Sequence, residues 1–138
     1  MALLSIDADI TGKNVLSIST FEHIGTGDYG LSEESDQSIL AFQKLFDESK
    51  NFLITIPVGY NARVDDLVFS RKEIPKDVVV GHLVREDGAL WREEADLVKA
   101  RRSYGDKHLM ERFAGTCIGK WANSVVILER GNIIFQKC

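Results

Sequence analysis

The sequence predicts an α/β fold, a mixed open sheet of four to five strands with helices on its faces. Two short apolar runs, residues 15–18 and 52–56, have the length of β-strands and are bounded by turn-forming residues. The second run, FLITI, is apolar on both faces and is closed by Pro57, which is typical of a buried parallel strand. Apolar residues at helical spacing lie between the runs, so the order predicts a strand, helix, strand unit.

Composition narrows the class of protein. The chain has 138 residues, a length that fits one domain spanning residues 1–138. Its net charge of -4 disfavours nucleic acid or an anionic membrane as the main partner, because such binding depends on clustered Lys and Arg. No apolar window reaches the roughly 20 residues that a membrane span needs, and the first residues lack a basic signal-peptide region. We therefore expect a cytoplasmic protein.

The two cysteines, Cys117 and Cys138, do not have the spacing of metal ligands. We expect both to be reduced thiols and predict no metal site. His82, inside an apolar strand, and His108, in a charged segment, are predicted to be structural, because a zinc site needs three or four converging ligands.

The helix between the two runs begins at Ser35 or Asp36, either of which can cap it, and ends near residues 49–51. Its apolar residues recur at helical spacing and are Ile39, Phe42, Leu45 and Phe46. The other predicted elements are a strand at 3–6, a turn at 11–13, a loop at 58–61, a helix at 63–69, a strand at 78–85, helices at 90–102 and 104–113, a strand at 125–128, and a hairpin turn at Gly131-Asn132 that returns through 133–135.

The best candidate for chemistry is the pair Glu22-His23, which follows the first apolar run. Ligands of open α/β sheets bind where strands end, and the loop 58–61 after the second strand points to the same edge. Histidine accepts protons near neutral pH, and a neighbouring carboxylate raises its basicity. The structural alternative is that Glu22 caps a loop while His23 packs beneath the helix.

The stretch from Gly25 to Gly30 matches G-x-G-x-x-G, the fingerprint of dinucleotide binding. That mechanism needs a helix that opens directly on the glycines, whereas LSEESD intervenes here. The acidic residues of this insertion, Glu33, Glu34 and Asp36, would also repel phosphate. We therefore favour the other interpretations of this loop.

The strings VLSISTFEHIGTGDYG and, after a helix, FLITIPVGYN resemble the carboxyl-terminal half of class I S-adenosylmethionine-dependent methyltransferases. The resemblance is strongest to a small bacterial group often linked to polysaccharide synthesis, and it covers most of the chain from Asn14 onward. Trp91, Tyr104-Gly105 and Ala122-Asn123 match the same pattern. The resemblance implies a truncated Rossmann-like fold in which these two strands are the fourth and fifth of seven.

The resemblance also implies roles for individual residues. Glu22 and His23 would be catalytic, beside the methyl-donor end of S-adenosylmethionine and the acceptor. Cofactor contacts would come from Ser19 and Thr20 at the strand end and from Asp7 or Asp9, near the adenine. The acceptor would be approached by the next corner of the chain, which comprises Gly59, Tyr60 and Asn61.

The family's first strand, with its glycine-rich turn, has no counterpart here, nor has the acidic residue that ends the second strand and holds the ribose. We therefore expect the chain to bind the cofactor poorly by itself, and to act only if a partner chain or a dimer completes the pocket. The strand at 14–19 would have an exposed apolar edge, which invites pairing with another chain. We expect residues 3–6 to cover this edge or a homodimer to form there. The alternatives are a non-enzymatic assembly module and a small-molecule-binding module.

Overall fold

The structure is a computed structural model that describes residues 7–27, 36–87, 90–102 and 122–133. Within these ranges the chain forms five strands, three helices and one 3-10 turn. The strands are β1 (Asn14–Ile18), β2 (Asn51–Pro57), β3 (Val79–Asp87), β4 (Leu90–Glu93) and β5 (Ser124–Arg130). The helices are α1 (Gln37–Glu48), α2 (Ala62–Ser70) and α3 (Leu97–Ala100), and the 3-10 turn is Phe21–His23.

The strands form one mixed open sheet in the order β1-β2-β5-β3-β4. β1 and β2 are parallel, with Asn14 opposite Asn51 and Ile18 opposite Thr55. The other three pairings are antiparallel. The predicted α/β class, the mixed sheet and the parallel first unit are therefore confirmed.

One hydrophobic core joins α1 and α2 to the sheet. Phe42 and Leu45 of α1 are fully buried, as are Ile54 of β2 and Val64 of α2. Alternate residues of β2 point into this core, so its burial follows the period of two expected for a strand. The helix predicted from Ser35 or Asp36 to near residues 49–51 is thus confirmed as α1, and the one predicted at 63–69 as α2. Both are held by their apolar faces.

The helix predicted over residues 90–102 is wrong. Residues 90–93 form β4, which pairs antiparallel with β3, and only Leu97–Ala100 is helical. Trp91 lies opposite Arg85, whose guanidinium carbon is 4.6 Å from the centre of the indole ring. The environment of Trp91 is therefore this cross-strand contact and not a buried helix face. Val98 is 86% exposed, so it does not lie on a buried helix face either. The overlooked signal is Asp87-Gly88, a dipeptide typical of hairpins.

The last predicted strand is confirmed as β5, and both Gly131 and Asn132 have the positive φ angles that a two-residue hairpin turn requires. Several predictions fall outside the described residues: the strand at 3–6, the helix at 104–113, the return strand beyond 133, and the states of His108, Cys117 and Cys138. Within the described ranges, no helix has both the length and the apolar character that crossing a bilayer requires.

Candidate functional site

The chain turns sharply where β1 ends. Ser19 has a φ angle of 50°, in the left-handed region that side chains other than glycine rarely adopt. Its N–H group donates to the carbonyl oxygen of Thr55 at 3.0 Å, which holds this turn against β2. Thr20 then precedes the 3-10 turn and accepts a hydrogen bond from the backbone of His23. The turn presents Ser19, Glu22 and His23 at the carboxyl end of β1.

Glu22 is buried at this turn, with none of its surface exposed. Its Oε1 atom accepts a hydrogen bond from the Ser19 hydroxyl at 2.5 Å, whereas Oε2 has no hydrogen-bond partner among the described residues. Burial raises the pKa of the carboxyl group above its usual value, because the charged form loses solvation, and the Ser19 hydroxyl partly opposes this rise. The buried carboxyl group of Glu22 therefore holds a proton more readily than an exposed glutamate does.

His23 lies between this carboxyl group and an aromatic ring. Its Nε2 atom is 3.6 Å from Oε1 of Glu22, and its ring meets the ring of Tyr60 edge-on with the centres 4.6 Å apart. The side chain remains 17% exposed, so an outside ligand can reach it. The arrangement agrees with the structural alternative in burying Glu22, but it leaves His23 accessible.

The corner after β2 lies against the same turn. Gly59 has a φ angle of 86°, which suits glycine, and its N–H group donates to Oδ2 of Asp65 at 2.9 Å. Val58 is anchored separately, because its N–H group donates to the carbonyl oxygen of Ser124 at the start of β5. These two bonds fix the position of Tyr60.

Asp65 is a residue that sequence reasoning missed. It is buried in α2, and burial raises the pKa of its carboxyl group, while the hydrogen bond from Gly59 opposes the rise. The available signal was an acidic residue between Val64 and Leu67, two apolar residues at helical spacing. A charged side chain in that position needs a partner, and the partner is the corner after β2.

Asn61 connects the corner to the turn. Its Oδ1 atom accepts hydrogen bonds from the N–H groups of Arg63 and Val64, which caps α2. Its Nδ2 atom donates to the carbonyl oxygen of Glu22 at 3.0 Å. We call the surface formed by residues 19–23 and 59–61 the rim.

An open cavity of about 540 Å³ lies beside the rim. Its lining residues come from the loop after the 3-10 turn, from the corner after β2 and from the start of α2, and they are Ile24, Gly25, Thr26, Tyr60, Asn61, Ala62 and Arg63. The guanidinium group of Arg63 forms an ion pair with Asp36. On the side of the rim, the wall of the cavity is formed by Tyr60 and Asn61, an aromatic and an amide side chain.

The structure brings seven predicted site residues together and leaves two apart. The seven are the rim residues Ser19, Thr20, Glu22, His23, Gly59, Tyr60 and Asn61. Asp9 lies before the amino end of β1, where it accepts a hydrogen bond from the N–H group of Thr11 at 3.1 Å. That bond lowers the pKa of the Asp9 carboxyl group. Asp7 is exposed just ahead of it, so neither aspartate contributes to the rim.

Two other sequence signals contribute no residue to the rim. His82 is buried in β3, its Nε2 atom 3.0 Å from Nη2 of Arg71 and its ring stacked on Phe69. Gly25 and Gly27 both have positive φ angles, and α1 begins at Gln37. The residues directly after these glycines, where dinucleotide binding would need a helix, lie outside the described ranges. Among the described residues, no group of three His, Cys, Asp or Glu side chains is placed to hold a metal ion.

The chain was compared with models of protein families, with curated proteins and with solved structures. None of the three comparisons gave a match.

Proposed function

We propose that this chain is a methyltransferase-like domain whose rim forms the acceptor side of the site. The observation that carries the proposal is the meeting of two separate segments at one sheet edge. The ring of His23 contacts that of Tyr60, and Asn61 donates to the carbonyl of Glu22, 39 residues earlier. The resemblance to methyltransferases implies this meeting, because it requires adjacent parallel strands that both end at the site.

The residues of the rim suit the reactive end of S-adenosylmethionine, which supplies an electrophilic methyl group when it is bound. Ser19 and Thr20 offer hydroxyl oxygens at the end of β1, whereas the buried carboxyl group of Glu22 would act on a bound ligand through His23. Asp9 is at the opposite end of β1, so its contact with adenine stays a prediction. The rim residues therefore suit the methyl-donor end of S-adenosylmethionine and not its adenine end.

His23 is the proton acceptor in this proposal. A hydroxyl or amine acceptor bound at the exposed side of His23, next to the cavity, would lose its proton to the imidazole, which becomes a cation. The Glu22 carboxylate, with Oε1 3.6 Å from Nε2, then stabilises that cation electrostatically. Tyr60 packs against the imidazole and limits its orientations, so the ring is held ready for the transfer.

The remainder of the site would come from a second polypeptide. β1 is an edge strand of the sheet among the described residues, and it carries Leu16 and Ile18, which are 60% and 66% exposed. Apolar edge strands pair readily with other chains. We therefore propose a homodimer or a partner chain that docks at this edge and completes the cofactor pocket.

Calorimetric titration with S-adenosylmethionine tests the proposal. The protein concentration should be one at which light scattering reports the dimer, and we expect binding in the micromolar range. His23→Ala should then lower methyl transfer at least about 100-fold, as loss of a general base does, while binding changes less than about threefold. Equal loss of binding and transfer would contradict the role of His23.

His82→Phe is the matched control, because it removes a histidine outside the rim and keeps an aromatic ring against Phe69. It should leave transfer unchanged. An absence of heat at millimolar ligand would contradict the methyltransferase proposal.

The exposed apolar side chains of β1 favour a second candidate, a non-enzymatic assembly module. In that case the chain self-associates but gives no heat with S-adenosylmethionine. A monomer by light scattering would remove this candidate.

A further inference from the structure

We propose that Asn61 is a positioning residue that uses its two amide ends separately, one to begin α2 and the other to hold the Glu22-His23 turn. The inference rests on the proposed function only in treating Glu22 and His23 as the reactive pair. It assigns to Asn61 a structural task at the site instead of contact with the acceptor.

The hydrogen-bonding capacity of the Asn61 side chain is almost fully used. A side-chain amide can accept two hydrogen bonds and donate two. Oδ1 accepts from the N–H groups of Arg63 at 3.1 Å and Val64 at 3.4 Å, and Nδ2 donates to the Glu22 carbonyl at 3.0 Å. Three of the four possibilities are therefore taken inside the chain, which leaves little to offer an acceptor.

Capping alone does not require asparagine. Serine, aspartate and asparagine are equally good at the position before a helix. Among these three, only asparagine carries a donor nitrogen on a different atom from the oxygen that caps. The residue at position 61 is thus the type that can cap α2 and donate to Glu22 at the same time.

The bond from Asn61 acts on the backbone of the residue whose side chain does the chemistry. The carbonyl of Glu22 lies inside the 3-10 turn, which is closed by bonds from the N–H groups of His23 to Thr20 and of Ile24 to Phe21. Fixing that carbonyl fixes the direction of the Glu22 and His23 side chains relative to Tyr60. Small displacements of such groups are costly to catalysis.

Amide hydrogen exchange measured by NMR on the full chain separates the two ends of the Asn61 amide. Asn61→Ser keeps a capping oxygen and removes the donor to Glu22. We expect the amide protons of His23 and Ile24 to exchange about fivefold faster, the factor that one ordinary hydrogen bond is worth. Exchange at Val64 and Asp65 in α2 should stay within about twofold, because serine caps as well as asparagine.

Asp96→Ser is the matched control. Asp96 caps α3 in the same way, by accepting from the N–H groups of Val98 and Lys99, and lies away from the rim. It should leave exchange at His23 unchanged. Asn61→Ala removes both functions and should accelerate exchange in the turn and in α2.

Unchanged exchange at His23 and Ile24 in Asn61→Ser would overturn the proposal, and so would an equal acceleration in α2, because Asn61 would then act as a cap alone. The measurement needs no ligand. Its failure is therefore distinct from a failure of the chain to bind S-adenosylmethionine.

Discussion

The two histidines that the structure describes sit in opposite electrostatic surroundings. His23 lies at the end of β1 beside the carboxyl group of Glu22, with part of its ring open to solvent. His82 lies inside β3, beneath Phe69 and against the guanidinium of Arg71. A proton added at position 23 would meet a carboxylate, whereas one added at position 82 would meet a cation.

This difference separates a histidine that can do chemistry from one that supports the fold. Arg71 donates toward Nε2 of His82, which requires that nitrogen to be unprotonated. Burial and, to a smaller extent, Arg71 lower the pKa of His82 below its usual value. A charged group near a histidine therefore does not by itself indicate a catalytic role. The sign of that charge and the solvent accessibility of the imidazole ring decide whether the histidine can take part in chemistry.

The largest expected effect is on stability. His82→Ala removes a buried ring from its contact with Phe69 and leaves a cavity, so we expect the free energy of unfolding to fall by about 2 to 4 kcal/mol. His23→Ala removes a ring that is partly exposed and should cost less, about 1 kcal/mol. Urea denaturation at pH 7.5, followed by far-UV circular dichroism, measures both. Equal losses would break the distinction between the two sites.

The next effect is on the pH dependence of stability. The usual pKa of histidine is 6.5, and that of His82 is lowered in the folded protein. Below pH 6.5 the unfolded chain therefore takes up a proton that the native protein refuses, until the lowered pKa is reached. Stability should consequently fall as the pH drops through this window, by up to about 1.4 kcal/mol per pH unit.

The pKa values of Glu22 and Asp65 are raised in the folded protein. At pH values just above the usual pKa of a carboxyl group, these two residues therefore make stability rise as the pH drops. The contribution of His82 is thus the difference between the wild type and His82→Phe, which should lose stability less steeply between pH 7 and pH 5.5. Identical slopes for the two proteins would show that His82 is not buried in its neutral form.

The sequence was sufficient for the β1, α1, β2 unit because its apolar spacing reports directly which faces are buried. Phe42, Leu45 and Ile54, for example, all lie in the core. It did not reveal that β5 lies between β2 and β3, since apolar spacing describes a strand's faces and not its neighbours. The helical spacing at residues 90–102 gave a wrong prediction for the same reason. The pairing of β4 with β3, which apolar spacing does not describe, determines the structure of residues 90–93.

In the site, too, some contacts could be predicted from the sequence and others could not. Parallel strands end at the same edge, so the meeting of Glu22 and His23 with the corner at 59–61 could be predicted. The bond from Ser19 to Glu22 and the bond from Gly59 to Asp65 could not. Both depend on local backbone angles and side-chain rotamers that residue spacing does not encode.

The smallest expected effect concerns Ser19, whose φ angle of 50° has no counterpart at His82 in its regular strand. Ser19→Ala keeps the unfavourable backbone angle, whereas Ser19→Gly relieves it, so the glycine variant should be more stable than the alanine variant by about 1 kcal/mol. Both variants lose the hydroxyl that donates to Glu22, and both should raise the pKa of that carboxyl group further. Urea denaturation and a ¹³C NMR titration of Glu22 measure the two effects separately. An alanine variant as stable as the glycine variant would mean that the turn at Ser19 is unstrained, and an unmoved Glu22 titration would mean that the rim does not depend on the Ser19 hydroxyl.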